Sequence, residues 1–488
     1  MFHLSDIKTY ERCPKAFWLS QRIEKQFIPY VNFNENLTEL VKDFLMLREE
    51  DIFYGKPNDS VDLTLEALKK YKAIIQGRFE YHNMRIKIPF LIQEGDKKIL
   101  YFTYSTCYPR EKEAVKIAQH LAVLKKLDIS IDEVYVIHLN TGYVRGKELN
   151  LHELLVVSEY LYNGKNKPNK TIQVLLDEQL IDIDASIEEL ENCNRLPAID
   201  SYRDSKCTRT GKCPYFDDCF PEPLSDDSIL HLAQDKSRYE MLKNGRTTLK
   251  DVDIDKIEGT RYQYAQIMAA KNNGLFVDKQ ALRYWLENSF QKPISYLDFE
   301  WETYVYPPYE GMKPYDVMVF QYSLHIEENG QLQHVGFIGE NDCRKAFIEH
   351  LITHIPKNGS VVVYNMEGAE KLRLMQLAQQ FPEYETQLKQ IWERMVDLSL
   401  PFSTGNIYDL RMAGHYSLKT LVSIFSDYTY SDLDISYGID AVGKWRAYIE
   451  ADGEEKQRIY HQLEEYCGMD TFAEYIVYHA LKDIAETY

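Results

Sequence analysis

The apolar and polar pattern is clearest from Ile294 to Glu300, Ile-Ser-Tyr-Leu-Asp-Phe-Glu, a run rich in β-branched and aromatic residues that predicts a buried strand. Strand alternation sets Asp298 and Glu300 on one face and Phe299 on the other. Val319 to Ile326 predicts a strand pairing with it. Val361-Val-Val-Tyr-Asn365 predicts another strand, ending in a polar residue, with a helical run from Glu367 behind it. Near the C-terminus, Tyr466 and Asp470 fall at i and i+4, on one helical face. Upstream, Arg85 to Ile92, Ile99 to Thr106 and Val134 to Asn140 predict strands, and Glu111 to Lys126 a helix. Leu4 opens a helix with Ser5 as its N-cap, a second helix starts at Pro14, and Ser417 caps a third.

Two carboxylates projecting together from a buried strand are costly unless a cation sits between them. Hard oxygen donors suit Mg²⁺ or Mn²⁺ rather than zinc. The alternative that needs no metal is an exposed strand end with two solvated acids.

Composition narrows the setting. At 488 residues the chain is too long for one ordinary core, and 44% hydrophobic with 27% charged residues describes a globular protein. The α/β pattern divides into an N-terminal part over 1–220, a helical connector over 221–292 broken at Gly245 and Asn272-Asn-Gly274, and a C-terminal part over 293–488. A formal charge of −19 argues against a loose polyanion coat and requires any nucleic-acid groove to be locally basic. Some of the 37 tyrosines could stack on bases, although packing is their commoner use. The N-terminus lacks a basic then apolar leader, and no apolar run of about 18 residues occurs, so no membrane association and a cytoplasmic location are expected. Eight cysteines in that setting point to thiols or ligands rather than disulfides. Cys207, Cys213 and Cys219 share one loop rich in Gly, Pro and Asp, a metal or cluster pattern that needs a fourth ligand from elsewhere. Cys107, Cys193, Cys343 and Cys467 have no pattern and read as packing residues, and His138 as a satisfied core histidine.

The strand Asp298-x-Glu300, the Asn365 turn with a following acid, and the helical Tyr466-x-x-x-Asp470 resemble, in that order, the tyrosine-containing DEDD 3′–5′ exonucleases of ribonuclease-H-like fold. The resemblance runs from about Ile294 to Leu481. It implies two Mg²⁺ or Mn²⁺ ions held by Asp298, Glu300, Asp470 and a second-motif acid, with Tyr466 orienting the attacking water. Ala369 occupies the usual place of that acid. Glu370, one further on, is the favoured substitute and Glu367 the other. The region of His415, Tyr416 and Lys419 is where such enzymes hold the substrate's 3′ end, while Asp397 and Asp409 read as structural acids.

The N-terminal part has its own resemblance. Tyr10-x-x-Cys13-Pro-x-x-x-Trp18, closed by the three-cysteine loop, is similar to the iron–sulfur RecB-like nucleases of the restriction-endonuclease-like fold, including those associated with CRISPR arrays. On that resemblance Cys13, Cys207, Cys213 and Cys219 bind a [4Fe–4S] cluster, with zinc as the rival. The family pattern also places Pro89, Phe102 and Tyr104 where a metal-binding Asp, a Glu and a Lys belong. Only Gln119 still fits. None of the replacements ligates Mg²⁺ well, so this domain is expected to have lost its nuclease and to serve as a substrate-binding platform. Leu242 to Asp251 resembles the helix–turn–helix unit that often follows such domains, with a solvated linker bundle as the alternative. Nearly the whole chain resembles an uncharacterised bacterial family recorded as a domain of unknown function. The expectation is a metal-dependent 3′–5′ exonuclease on DNA or RNA. The alternative is a non-catalytic nucleic-acid or partner-binding protein built from two decayed nucleases.

Overall fold

The computed structural model describes residues 1–25, 36–208, 211–234, 236–257, 259–431, 433–435 and 437–487. It is a mixed α/β protein of two compact units, one of residues 1–221 with 304–316, the other of 222–303 with 317–488. Among the described residues no helix is long and apolar enough to cross a membrane.

The first unit is built on a seven-stranded sheet. Its strands are β1 (Phe2–His3), β2 (Ile52–Tyr54), β3 (Ala73–Tyr81), β4 (Met84–Glu94), β5 (Lys97–Tyr104), β6 (Glu133–Leu139) and β7 (Leu155–Ser158). The order is β2-β3-β4-β5-β6-β7, with β1 parallel to β4 at the side. Helix α1 (Leu4–Arg12) begins one residue after His3, whose main-chain N–H donates to Asp6 Oδ2 at 2.8 Å, so Ser5 lies inside the helix rather than at its cap. Cys13 follows in extended conformation and caps α2 (Pro14–Ser20), where a proline in the first turn forfeits no hydrogen bond. Helix α3 (Glu113–Lys126) buries Ile117, Val123 and Leu124 in the same core as Phe79, Ile88 and Leu100. Phe102 is buried there with its ring edge-on to His120. His138 is buried and satisfied, Nδ1 against Leu139 O at 2.9 Å and Nε2 against Tyr162 Oη at 3.3 Å.

Residues 304–316 belong to this first unit although the strands on either side of them belong to the second. Val305 and Tyr306 are buried in one cluster with Leu40, Phe90 and Ile137. Arg145 holds the segment in register, its N–H donating to Met312 O at 2.9 Å, its carbonyl accepting from Gly311 at 2.8 Å and its guanidinium reaching Pro307 O at 2.8 Å.

The second unit is organised by a five-stranded sheet containing β8 (Ile294–Thr303), β9 (Val317–Glu328), β10 (Gln331–Ile338), β11 (Ser360–Val363) and β12 (Met395–Asp397). The order is β10-β9-β8-β11-β12, an antiparallel meander continued on its other side by two parallel strands. Leu297, Phe299 and Val361 pack on one face against Phe347 and Leu351 of α4 (Arg344–His354) and Leu374 of α5 (Glu370–Gln380). Tyr296 and Val362 pack on the other with Val477 and Leu481 of the long helix α8 (Gly453–Thr487). The helices Arg261–Lys271 and Lys279–Ser289, read from the sequence as part of a connector, contribute Ala265, Ala269 and Leu282 to this same cluster. The stretch compared with a helix–turn–helix is a helix Arg238–Lys243, a left-handed turn at Gly245 and one 3₁₀ turn, Leu249–Asp251. Between β11 and α5 the chain turns at Asn365, φ 66°, which ends the strand two residues before the predicted boundary.

Candidate metal centre

The acidic face of β8 is the nucleus of the site. Asp298 and Glu300 project together, and a register irregularity between Glu300 and Trp301 ends that face. Glu302, the next acid, is taken by Arg446 of α7 (Gly438–Glu450), whose Nε donates to Glu302 Oε1 at 2.7 Å. From α8, Asp470 reaches the same point. One ligand atom from each of Asp298, Glu300 and Asp470 lies within 4.8 Å of the others. Glu300 and Asp470 are each 8% exposed, whereas Asp298 keeps an accessible edge.

Electrostatics mark this as a place where buried carboxylates oppose one another's charge. Burial and then the Asp470 carboxylate hold Asp298 well above the usual carboxylate range. Burial, Asp298 and Asp470 do the same to Glu300. Asp470 is pushed up to about 6 by burial, against a hydrogen bond from Tyr430 Oη at 2.6 Å that favours its ionised form. Cys467, one turn before Thr471 and fully buried, leans its thiol toward Asp298 Oδ2 at 3.4 Å.

Tyr466 is buried at the edge of the acids, and its phenol is held protonated by burial and by Asp470. Lys419 Nζ donates to Tyr466 Oη at 3.1 Å and sits over the rings of Tyr430, Tyr437 and Tyr466 at 4.9, 5.2 and 4.8 Å. Lys419, compared above with a contact to the substrate end, is thus directed onto the tyrosine. Ser417 caps its helix, Leu418–Phe425, accepting from Thr420 N.

The second-motif acid is set apart from the triad. Glu370 opens α5, is 2% exposed and faces Asp298, but lies outside the 4.8 Å group. Glu367 is turned to solvent in an ion pair with Lys371 at 2.5 Å. Asp397 accepts the main-chain N–H groups of Asn365, Met366 and Ser399, pinning the turn that delivers Glu370. Asp409 is engaged by Arg411 at 2.7 Å. One acid escaped the sequence reading: Glu474, four residues beyond Asp470 on α8 and 1% exposed. Its signal was the continued four-residue spacing Tyr466, Asp470, Glu474.

In the first unit, Cys13, Cys207, Cys213 and Cys219 line one cavity of about 290 Å³, and none of the four is in a disulfide. Cys213 N–H donates to Cys207 O at 2.8 Å, closing the loop of which Arg209 and Thr210 lie outside the described residues. The strand positions compared with a nuclease centre present Pro89, Phe102 and Tyr104, none of them an anionic ligand.

Residues 295–417 match a family described as a domain of unknown function (DUF2779). No curated protein and no solved structure gives a match.

Proposed function

We propose that this chain is a metal-dependent 3′–5′ exonuclease acting on DNA or RNA, with a ribonuclease-H-like catalytic domain and a RecB-like N-terminal domain that positions the substrate. The observation that carries the reading is the meeting of Asp298, Glu300 and Asp470 beneath Tyr466. The donor set is three carboxylates, two of them buried, which fits Mg²⁺ or Mn²⁺. The sheet order, an antiparallel meander extended by two parallel strands, agrees with the ribonuclease-H-like resemblance.

Asp298, Glu300 and Asp470 would hold the ions, with Glu370 reaching from the turn after β11. Bound there, the ions would acidify a water and neutralise charge on the phosphate. The chain's own work is positioning. Lys419 occupies a lone pair of Tyr466 Oη, so the phenolic proton is free to be donated outward, to a water or a phosphate oxygen. The four cysteines, one from the start of the unit and three from one loop, line a single cavity, an arrangement that fits a [4Fe–4S] cluster, with zinc as the rival.

The test is incubation of the full chain with 3′- and 5′-labelled single-stranded DNA and RNA, with Mn²⁺ or with EDTA. Shortening from the 3′ end that requires Mn²⁺ and disappears in Asp298→Ala is the expected result. Binding without degradation would replace this reading by the non-catalytic one, with the set-back Glu370 as its cause.

A further inference from the structure

Glu474 has no role in the triad, yet its surroundings are unusual. It is 1% exposed, and among the described residues neither of its carboxylate oxygens has a hydrogen-bond partner. Glu370 Oε2 is buried and unpartnered in the same way. The ionisable groups facing Glu474 include Asp298 from β8, Glu370 from α5, Asp470 from its own helix and the Tyr364 phenol. The main-chain N–H of Leu297 also points its way without closing a hydrogen bond.

Two states could make such a carboxylate tolerable. A neutral acid carries an O–H that must be spent on an acceptor, and here none is engaged. A divalent cation would use the open lone pairs of Glu474 and Glu370 and offset the charge of Asp298 beside them. Asp298 would then be shared between the triad with Glu300 and Asp470 and the pair Glu370 and Glu474, both of which face it.

We infer that Glu474 is a fifth carboxylate of the metal centre, a ligand that works with Glu370 to hold the second divalent ion beside Asp298. This rests on the metal-centre reading above. It assigns to α8 two ligands one turn apart, Asp470 and Glu474, and it compensates for Ala369, which supplies none.

The experiment is Mn²⁺ titration of the metal-free full chain, counting free ion by its electron paramagnetic resonance signal, alongside thermal melting. The wild type is expected to bind two ions with a spin-coupled signal. Glu474→Gln should bind one, lose the coupling and weaken the second site about tenfold or more, while melting no lower than the wild type in EDTA. Glu465→Gln, an exposed position on the same helix, should match the wild type. Should Glu474→Gln fail to fold, Glu474→Asp serves: a retracted carboxylate should weaken only the second site. Two ions bound equally well by the Glu474 variants overturn the inference, as does a wild type that binds one. A wild type that binds no Mn²⁺ overturns the metal centre itself.

Discussion

Replacing Asp470 by asparagine should make the metal-free protein more stable while destroying its response to metal. Asp470 titrates near 3.9 in an unfolded chain and is pushed up to about 6 in the folded one, a difference worth about 3 kcal/mol. Because the folded value is the higher, the folded state holds the proton more tightly. The penalty is absent below about pH 4, grows as pH rises through the window from 4 to 6, and is complete above it. The substituted amide would carry no charge and would still accept from Tyr430 Oη, so it should recover most of that energy at pH 8. For a unit of this size, about 2 °C per kcal/mol gives a midpoint about 6 °C higher. The assay is thermal melting in EDTA at pH 5 and pH 8, repeated at pH 8 with Mn²⁺. Wild type should lose stability between pH 5 and pH 8 in EDTA and regain about 3 kcal/mol with Mn²⁺ at a hundred times its dissociation constant, whereas both changes should be smaller in Asp470→Asn, the pH-dependent loss that remains coming from Asp298 and Glu300. A variant that melts lower than wild type at pH 8 in EDTA, or a wild type indifferent to pH, would refute the argument that these carboxylates are mutually frustrated without a cation.

Three other changes separate the parts of the molecule. Lys419→Met removes the donor to Tyr466 and should lower kcat about 10- to 100-fold with Mn²⁺ binding unchanged; a parallel loss of Mn²⁺ affinity would mean that the lysine shapes the acids instead. Arg446→Ala leaves the fully buried Glu302 without its guanidinium and should cost about 3–5 kcal/mol in chemical denaturation, a cost that Glu302→Gln in the same chain should largely relieve. Cys213→Ala should abolish the brown colour and bound iron of anaerobically purified protein, and a colourless wild type loaded with zinc would decide for the rival metal.

What the sequence made legible follows from the range of the interaction involved. Asp298 and Glu300 could be paired from sequence because strand alternation is local, and Tyr466 and Asp470 because a helix repeats every four residues or so. Asn365 reads from the sequence as the end of a strand, but its left-handed conformation, which ends the strand two residues earlier and precedes Glu370, is held by Asp397 from the neighbouring strand. Glu474 was passed over because a glutamate on a long helix is ordinarily solvated, and only the packing of α8 against β8 buries it. Ser5 reads as a cap because it is the better capping residue, yet the pairing of Phe2 and His3 with β4 fixes the helix start two residues earlier.

The placement of residues 304–316 bears on how the protein can be divided. The chain passes from one unit to the other after Pro221, after Thr303 and after Asp316, so cutting at residue 221 alone does not yield two self-sufficient pieces. A fragment starting at Glu222 would carry Val305, Tyr306 and Met312 without the core that covers them, an aggregation hazard with no bearing on its chemistry. Thr303 and Val317 are directly paired, however, so a two-residue Asn-Gly turn could join them and leave the strands that carry the acids intact. The second unit is therefore separable by shortening a hairpin, and the excised segment, supplied as a peptide, would be the natural complement for the other piece.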